Sequence, residues 1–208
     1  MQQFPLRPPH EALAREILQS PGIVAEARSK RWPVSYESSP VVAAAISSGR
    51  PKPVPVSLYL DGVRYISQMA GRADSLIGFW LINETTSNRC LLATLRTSDL
   101  CRCGCRGLCT TAPMLEAIAW SCRAMLAGIR PRTGRDKLPL TGNCMDILEE
   151  RGEDLPCTAM LLYIKGGWAE INHCLGLPAL MSKYNPCPFC ECTCDSMHER
   201  YRSIAIGS

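Results

Sequence analysis

Four cysteines fall within nine residues, at Cys101, Cys103, Cys105 and Cys109, and a second group stands at Cys187, Cys190, Cys192 and Cys194. These two groups hold eight of the thirteen cysteines. Clustered thiols bind metal or form disulfides, and tetrahedral Zn²⁺ takes four sulfurs at about 2.3 Å. If Cys101, Cys103 and Cys105 lie extended, their two-residue period points all three the same way. Gly104 and Gly107 would let the backbone curl until Cys109 joins them. Arg102 and Arg106 would offset the anionic site and favour thiolate. In the second group Cys187-x-x-Cys190 is a zinc half-site, which Cys192, Cys194 or His198 could complete. One pair from each group could instead share a metal. The competing reading is free or redox-active thiols. Cys90, Cys122, Cys144, Cys157 and Cys174 read as small apolar side chains. His173 adjoins Cys174, but chain neighbours need not face each other, so a dyad does not follow.

Carboxylates offer a second chemistry. Asp61 follows the apolar run Val56 to Leu60 and precedes Gly62. A carboxylate at a strand's end can reach a Mg²⁺ ion, which favours oxygen ligands. Asp-Gly is equally a hairpin-turn signal. Phosphoryl transfer with two metals needs acids from neighbouring strands, holding ions about 4 Å apart. The next apolar strand, Thr158 to Ile164, runs into Lys165-Gly166-Gly167 with no Asp at its end. Glu170 lies just beyond, where it suits the first turn of a helix as a partner of the helix dipole. Asp74, Asp99, Glu170 and Asp195 are the other acids that an active nuclease could draw on.

The loop carrying Arg130, Arg132, Arg135 and Lys137 could contact phosphates, together with Arg28, Lys30 and Arg31; each alone also reads as a solvated surface residue. Trp120 and Trp168 read as core aromatics. The net charge of +4 permits an anionic partner without requiring one. One four-thiolate zinc site would lower it to about +2 and two to about 0. Hydrophobic content of 46% against 20% charged suits a folded domain rather than a disordered chain. No apolar run approaches the roughly 20 residues of a membrane helix. Met1 to Pro9 lacks the apolar centre of a secretory signal. A reducing intracellular compartment, the nucleus among those allowed, is therefore expected, and there clustered cysteines favour metal.

The elements that must position these residues follow from pattern. His10 to Ser20 has helical spacing and Pro21-Gly22 interrupts it. Arg28 to Pro55 is rich in Pro, Ser and basic residues and reads as a linker with one weak element, Val41 to Ile46. Residues 1–53 are thus expected to be a helix and a linker, and 54–208 the main domain. Val54 to Tyr59, Leu76 to Asn83 and Cys90 to Arg96 predict three strands of an antiparallel meander, with Glu84 to Asn88 as a turn. Pro113 opens a helix over Met114 to Ala127, closed by Gly128. Asn143 to Arg151, Trp168 to Leu175 and Asp195 to Arg202 have helical character. Three strands, a crossover helix and a fourth strand predict an α/β fold whose mixed sheet has one parallel pairing. A ribonuclease H-like core begins this way.

Leu161 to Cys190 (LLYIKGGWAEINHCLGLPALMSKYNPCPFC) resembles the catalytic core of KDZ and Plavaka transposases. There, an apolar strand ends in Asp and is followed by a short helix and a Cys-x-x-C pair. Val56 to Ile66 (VSLYLDGVRYI) resembles that family's first strand, whose Asp begins an acidic triad. The cysteine run is also similar to the Cys-x-Cys-Gly-Cys-Arg-Gly-Trp-Cys motif of transposon-like proteins abundant in dinoflagellates, with Leu108 at the Trp. The resemblance spans roughly Val54 to Arg202. It implies an incomplete ribonuclease H-like mixed sheet with cysteine-rich, zinc-binding insertions. Asp61 takes the place of the first catalytic carboxylate and Gly167 that of the second, and no clear third precedes Ser208. The implied function is a catalytically inactive, transposon-derived domain that binds DNA or protein, with Zn²⁺ structural and Mg²⁺ relevant only if an active site survives. The alternative is a zinc-binding interaction module without enzymatic ancestry.

Overall fold

The computed structural model describes residues 5–66, 73–105, 107–138, 152–167, 171 and 174–177. Side chains are not described at 64–66 and 73–74. Four helices come first: α1 (Pro9–Gln19), α2 (Gly22–Ser29), α3 (Val34–Glu37) and α4 (Pro40–Ser47). Strands β1 (Val54–Ile66), β2 (Ala73–Asn83) and β3 (Arg89–Arg96) follow, then α5 (Leu108–Ala127) and β4 (Ala159–Gly166). The sheet order is β3-β2-β1-β4. β1–β2 and β2–β3 are antiparallel, and β1–β4 is parallel. A parallel return requires a long crossover, and α5 lies on that path. This is the mixed α/β sheet that the strand order predicts.

Two apolar cores flank the sheet. Val54, Val56, Leu58 and Leu60 of β1 join Ile77, Phe79 and Leu81 of β2 in a core with Leu13 and Ile17 of α1 and Met114, Ile118 and Met125 of α5. Trp32, Tyr36 and Val42 form a second core against Met160 and Leu162 of β4. Ala159 belongs to the first core and Met160 to the second, so strand alternation puts the cores on opposite faces.

The second core corrects the linker expected over Arg28 to Pro55. Its Pro and Ser residues are helix punctuation rather than linker composition. Pro40 occupies the first turn of α4, and the Ser39 side chain accepts from the Val41 N–H. The Trp32 indole donates to the Ala27 carbonyl at 2.8 Å, and the Tyr36 hydroxyl donates to the Pro53 carbonyl. Both rings are thereby buried with their polar groups satisfied, as burial requires.

α5 also starts earlier than expected. It begins at Leu108, inside the cysteine run, and Pro113 lies within it. Pro113 gives up one intrahelical hydrogen bond. The helix closes at Gly128 as its sequence predicts, with φ 74° and its N–H donating to the Ala124 carbonyl. α1 and α5 are joined by a buried polar contact. The His10 backbone N–H donates to Ser121 Oγ at 2.9 Å, and His10 Nδ1 lies 2.7 Å from the same oxygen. Ser121 Oγ thereby joins both the backbone and the ring of His10 to α5. Burial first, then the Arg130 charge, lowers the His10 pKa to about 4. The segments expected to be helical at 143–151 and 195–202 lie outside the described residues, as does most of 168–175.

Candidate metal centre and the Asp61 strand

The cysteine run connects a 3-10 turn (Thr97–Asp99) to the first turn of α5. Gly104 and Gly107 take left-handed conformations, φ 92° and 89°, which bend the chain back on itself. The Cys101 N–H donates to Thr110 Oγ1 at 2.9 Å, tying the start of the loop to the helix. The sulfurs of Cys101, Cys103, Cys105 and Cys109 all lie within 4.8 Å of one another. Cys103 and Cys109 are 3.8 Å apart, sulfur to sulfur. A tetrahedron with sulfurs about 2.3 Å from its centre has edges of about 3.8 Å, so this spacing suits a bound ion. Among the described residues, no other group of three or more His, Cys, Asp or Glu side chains converges in this way.

The loop's electrostatics favour anionic sulfur at one position. The Cys109 N–H donates to Cys105 Sγ at 3.3 Å. That bond, aided by the Cys103 thiol, lowers the Cys105 pKa to about 6. Hydrogen bonding with Cys105 and Cys103 pushes Cys109 up to about 12, and hydrogen bonding with Cys103 raises Cys101. The thiols thus share protons around one thiolate, at the positive end of a 20-residue helix whose first turn carries no acid. A metal ion would displace the remaining protons.

Other cysteines in the described residues have a different setting. Cys174 is buried in the main core, and Cys90, Cys122 and Cys157 pack against it. Burial pushes the Cys122 thiol up to about 11 and the Cys157 thiol to about 12, so they remain inert and protonated. Cys144, His173, His198 and the second cysteine group, Cys187, Cys190, Cys192 and Cys194, lie outside the described residues, as do Trp168, Glu170 and Asp195.

Asp61 stands inside β1 rather than at a turn. β1 continues through Asp61-Gly62 to Ile66, with Gly78 and Ile77 of β2 opposite the pair. The hairpin-turn reading of Asp-Gly is therefore excluded, and so is Asp61 as the end of its strand. Asp61 Oδ2 accepts from the Tyr59 hydroxyl at 2.9 Å, and Oδ1 accepts from the Gly62 N–H at 2.9 Å. On the other side Leu60 pairs with Gly166 of β4, the last pair of that ladder, so Asp61 continues β1 past it while Gly167 follows the end of β4. Neighbouring strands run about 4.8 Å apart. A Cβ on Gly166 would lie 2.0 Å from the Leu60 carbonyl oxygen, so the strands meet closely only because this residue is glycine. Asp99 lies in the 3-10 turn, and Glu84 is committed to Lys165 at 2.7 Å.

The basic loop is divided. Arg130 departs from the expected solvated setting, being only 8% exposed and bonded through Nε to Glu11 of α1 at 3.1 Å. Arg135 bonds Glu116 and the Pro113 carbonyl. Arg132 and Lys137 remain at the surface of the same segment. Lys30 lies over the Trp32 ring at 4.9 Å. Trp120 meets His10 edge-on at 5.4 Å, in keeping with a packing role.

Sequence reasoning passed over Trp80 and Arg89. Trp80 lies opposite Tyr59 with ring centroids 5.6 Å apart, and its indole fills the space that a side chain at Gly78 would need. Arg89 lies over the Tyr59 ring at 5.3 Å. The signal was available: Tyr59 and Asp61 share a face by alternation, and a strand reading of β2 puts Trp80 and Gly78 on one face.

No protein-family model, curated protein or solved structure matches this chain. No helix among the described residues is long and apolar enough to cross a membrane.

Proposed function

We propose that the chain is a ribonuclease H-like domain of transposon-derived ancestry, stapled by zinc, catalytically inactive, and retaining a nucleic-acid or protein binding role. The observation that supports this reading is the parallel pairing of β1 and β4, whose ladder ends at Leu60–Gly166, one residue before Asp61 and Gly167 in sequence. A two-metal centre needs carboxylates from two such adjoining strands. Here β1 supplies Asp61 and the residue that follows β4 is Gly167, which offers no side-chain ligand. A lone carboxylate leaves Mg²⁺ held almost entirely by water. The four converging thiols supply the metal chemistry the chain retains, and their all-sulfur set favours zinc over hard cations. A central sheet with β1 beside β4 also favours this reading over an interaction module built from separate zinc ribbons.

Restoring the missing acid tests the register. Gly167→Asp should create a Mn²⁺ site, detected by the paramagnetic resonance of bound ion, and adding Asp61→Ala should remove it. A Gly167→Asp protein without new Mn²⁺ binding would count against the reading. So would Mg²⁺-dependent DNA cleavage by the unaltered chain that Asp61→Ala abolishes. Metal analysis of the natively purified protein should find zinc, and native mass spectrometry showing only apo mass would remove the zinc staple.

A further inference from the structure

We infer that Cys103 and Cys109 form a peroxide-sensitive switch that opens the zinc staple: a hydroperoxide joins the two sulfurs as a disulfide, and the metal leaves. The inference rests on the zinc reading proposed above and adds its regulation. The four sulfurs of the loop are not equivalent. Cys103 and Cys109 are exposed, whereas Cys101 and Cys105 are half-buried. The exposed pair lies 3.8 Å apart, sulfur to sulfur. A disulfide bond is about 2.05 Å long, so these two sulfurs must approach by about 1.8 Å. The backbone between them allows that adjustment. Gly104 follows Cys103 directly and Gly107 lies two residues before Cys109, both in left-handed conformations that glycine enters and leaves freely. Exposure also separates this pair from other described cysteines. Cys174 is buried in the main core, and Cys122 and Cys157 pack against that core, shielded from a dissolved oxidant.

The chemistry balances with the peroxide as its one added reactant. One thiolate of the pair attacks a peroxide oxygen. The O–O bond breaks, the other oxygen leaves as hydroxide, and the sulfur becomes a sulfenic acid. The second thiolate attacks that sulfur, the S–O bond breaks, and a second hydroxide leaves as the S–S bond forms. Two electrons pass from the two sulfurs to one peroxide. The disulfide sulfurs have lost the anionic charge that a zinc ligand needs, so only Cys101 and Cys105 remain of a tetrahedral set. Two thiolates hold the ion too weakly to retain it. The loop keeps its place meanwhile, because the bond from the Cys101 N–H to Thr110 Oγ1 uses no sulfur. A thiol reductant returns both ligands by exchange, and the site can refill.

Hydrogen peroxide added to the natively purified full chain, with a zinc-chelating dye as reporter, tests this. Peroxide should release one zinc ion per chain, and dithiothreitol followed by added zinc should restore it. After the remaining thiols are blocked, the tryptic peptides 103–106 and 107–123 should be found joined, and their fragment spectra should place the bond between Cys103 and Cys109. Cys103→Ser should abolish both the joined peptide and the release of that ion. The fragment map of the unaltered chain decides the pair even if this variant unfolds. Zinc that stays bound under peroxide, or a disulfide that maps to other cysteines, would overturn the switch and leave the staple standing. A chain purified without zinc would overturn the staple and with it the release step.

Discussion

The cysteine loop and the Asp61 strand are both sites where the fold brings residues together, but the two differ in what arrives. In the loop four ligands converge within 4.8 Å, on a segment with no regular structure of its own before α5 begins. On the sheet, regular pairing runs to Leu60–Gly166, one residue before Asp61 on one strand and Gly167 after the other, and glycine offers no side chain there. A loop can be closed by whatever metal it binds, so its geometry depends on its chemistry. A sheet is held by its ladders and cores, so its geometry outlasts the loss of its chemistry. The loop is therefore expected to be the region that metal removal disturbs, and the Asp61 strand the region that it leaves alone.

Stripping the metal should have the largest effect. Cys103→Ser combined with Cys109→Ser should lower the zinc content by one ion per chain. It should also loosen the Cys101–Thr110 bond and the first turn of α5. Amide exchange should speed up over residues 101–112 and stay slow in β1, β2 and β4. Equal loss of protection in the sheet would show that the two regions are not separable. The affinity should also fall as pH drops, because a metal must displace protons from thiols, two of which are held above their ordinary pKa.

Legibility followed the same division. The mixed sheet could be read because β1, β2 and β3 are apolar runs separated by short polar stretches, and Gly128 marks the end of α5. The parallel β1–β4 pairing followed from one intervening helix. The N-terminal segment was misread because Ser39-Pro40 looks the same as helix start or as linker. Only Trp32, Tyr36 and Val42, meeting Met160 and Leu162 across the chain, decide it. The start of α5 was misplaced because proline normally marks the first turn, whereas here Gly107 in a left-handed conformation precedes the helix instead. In the cysteine loop the ligand types and the two hinge glycines were legible. The hydrogen bond that singles out Cys105 was not, since it depends on the helix starting at Leu108, five residues before Pro113, which brings the Cys109 N–H to Cys105 Sγ.

The next effect tests how far the loop depends on the scaffold behind it, since α5 carries the loop and His10 joins α5 to α1. His10 is 3% exposed, with Ser121 on α5, Glu11 on its own helix and Arg130 nearby. Its pKa falls from 6.5 unfolded to about 4 folded. The unfolded chain then binds more protons below pH 6.5, so stability from this group is complete above 6.5 and declines as pH drops toward 4. The loss should reach about 3 kcal/mol. Urea unfolding across this range should show it, and His10→Gln should flatten that part of the profile. A smaller change strikes the sheet alone. Gly166→Ala forces a Cβ against the Leu60 carbonyl and should cost about 2 kcal/mol. Zinc binding should be unaffected if the regions are as independent as their construction suggests.

Gly104→Ala makes the finest distinction, because it touches the loop without removing a ligand. No atom lies within 4 Å of a Cβ built there, so sterics with neighbours contribute nothing. The whole cost is that of holding an L-residue at φ 92°, about 1 kcal/mol or somewhat more. If the metal imposes the loop's shape, that cost should appear in the binding equilibrium, as a weakening of zinc affinity by about 5-fold in a chelator competition. The apo protein should then melt at nearly the unaltered temperature. If instead the apo loop already holds this shape, the same cost should appear in apo stability and the zinc affinity should hardly change. One substitution thus measures whether the four sulfurs are brought together by the fold or by the ion.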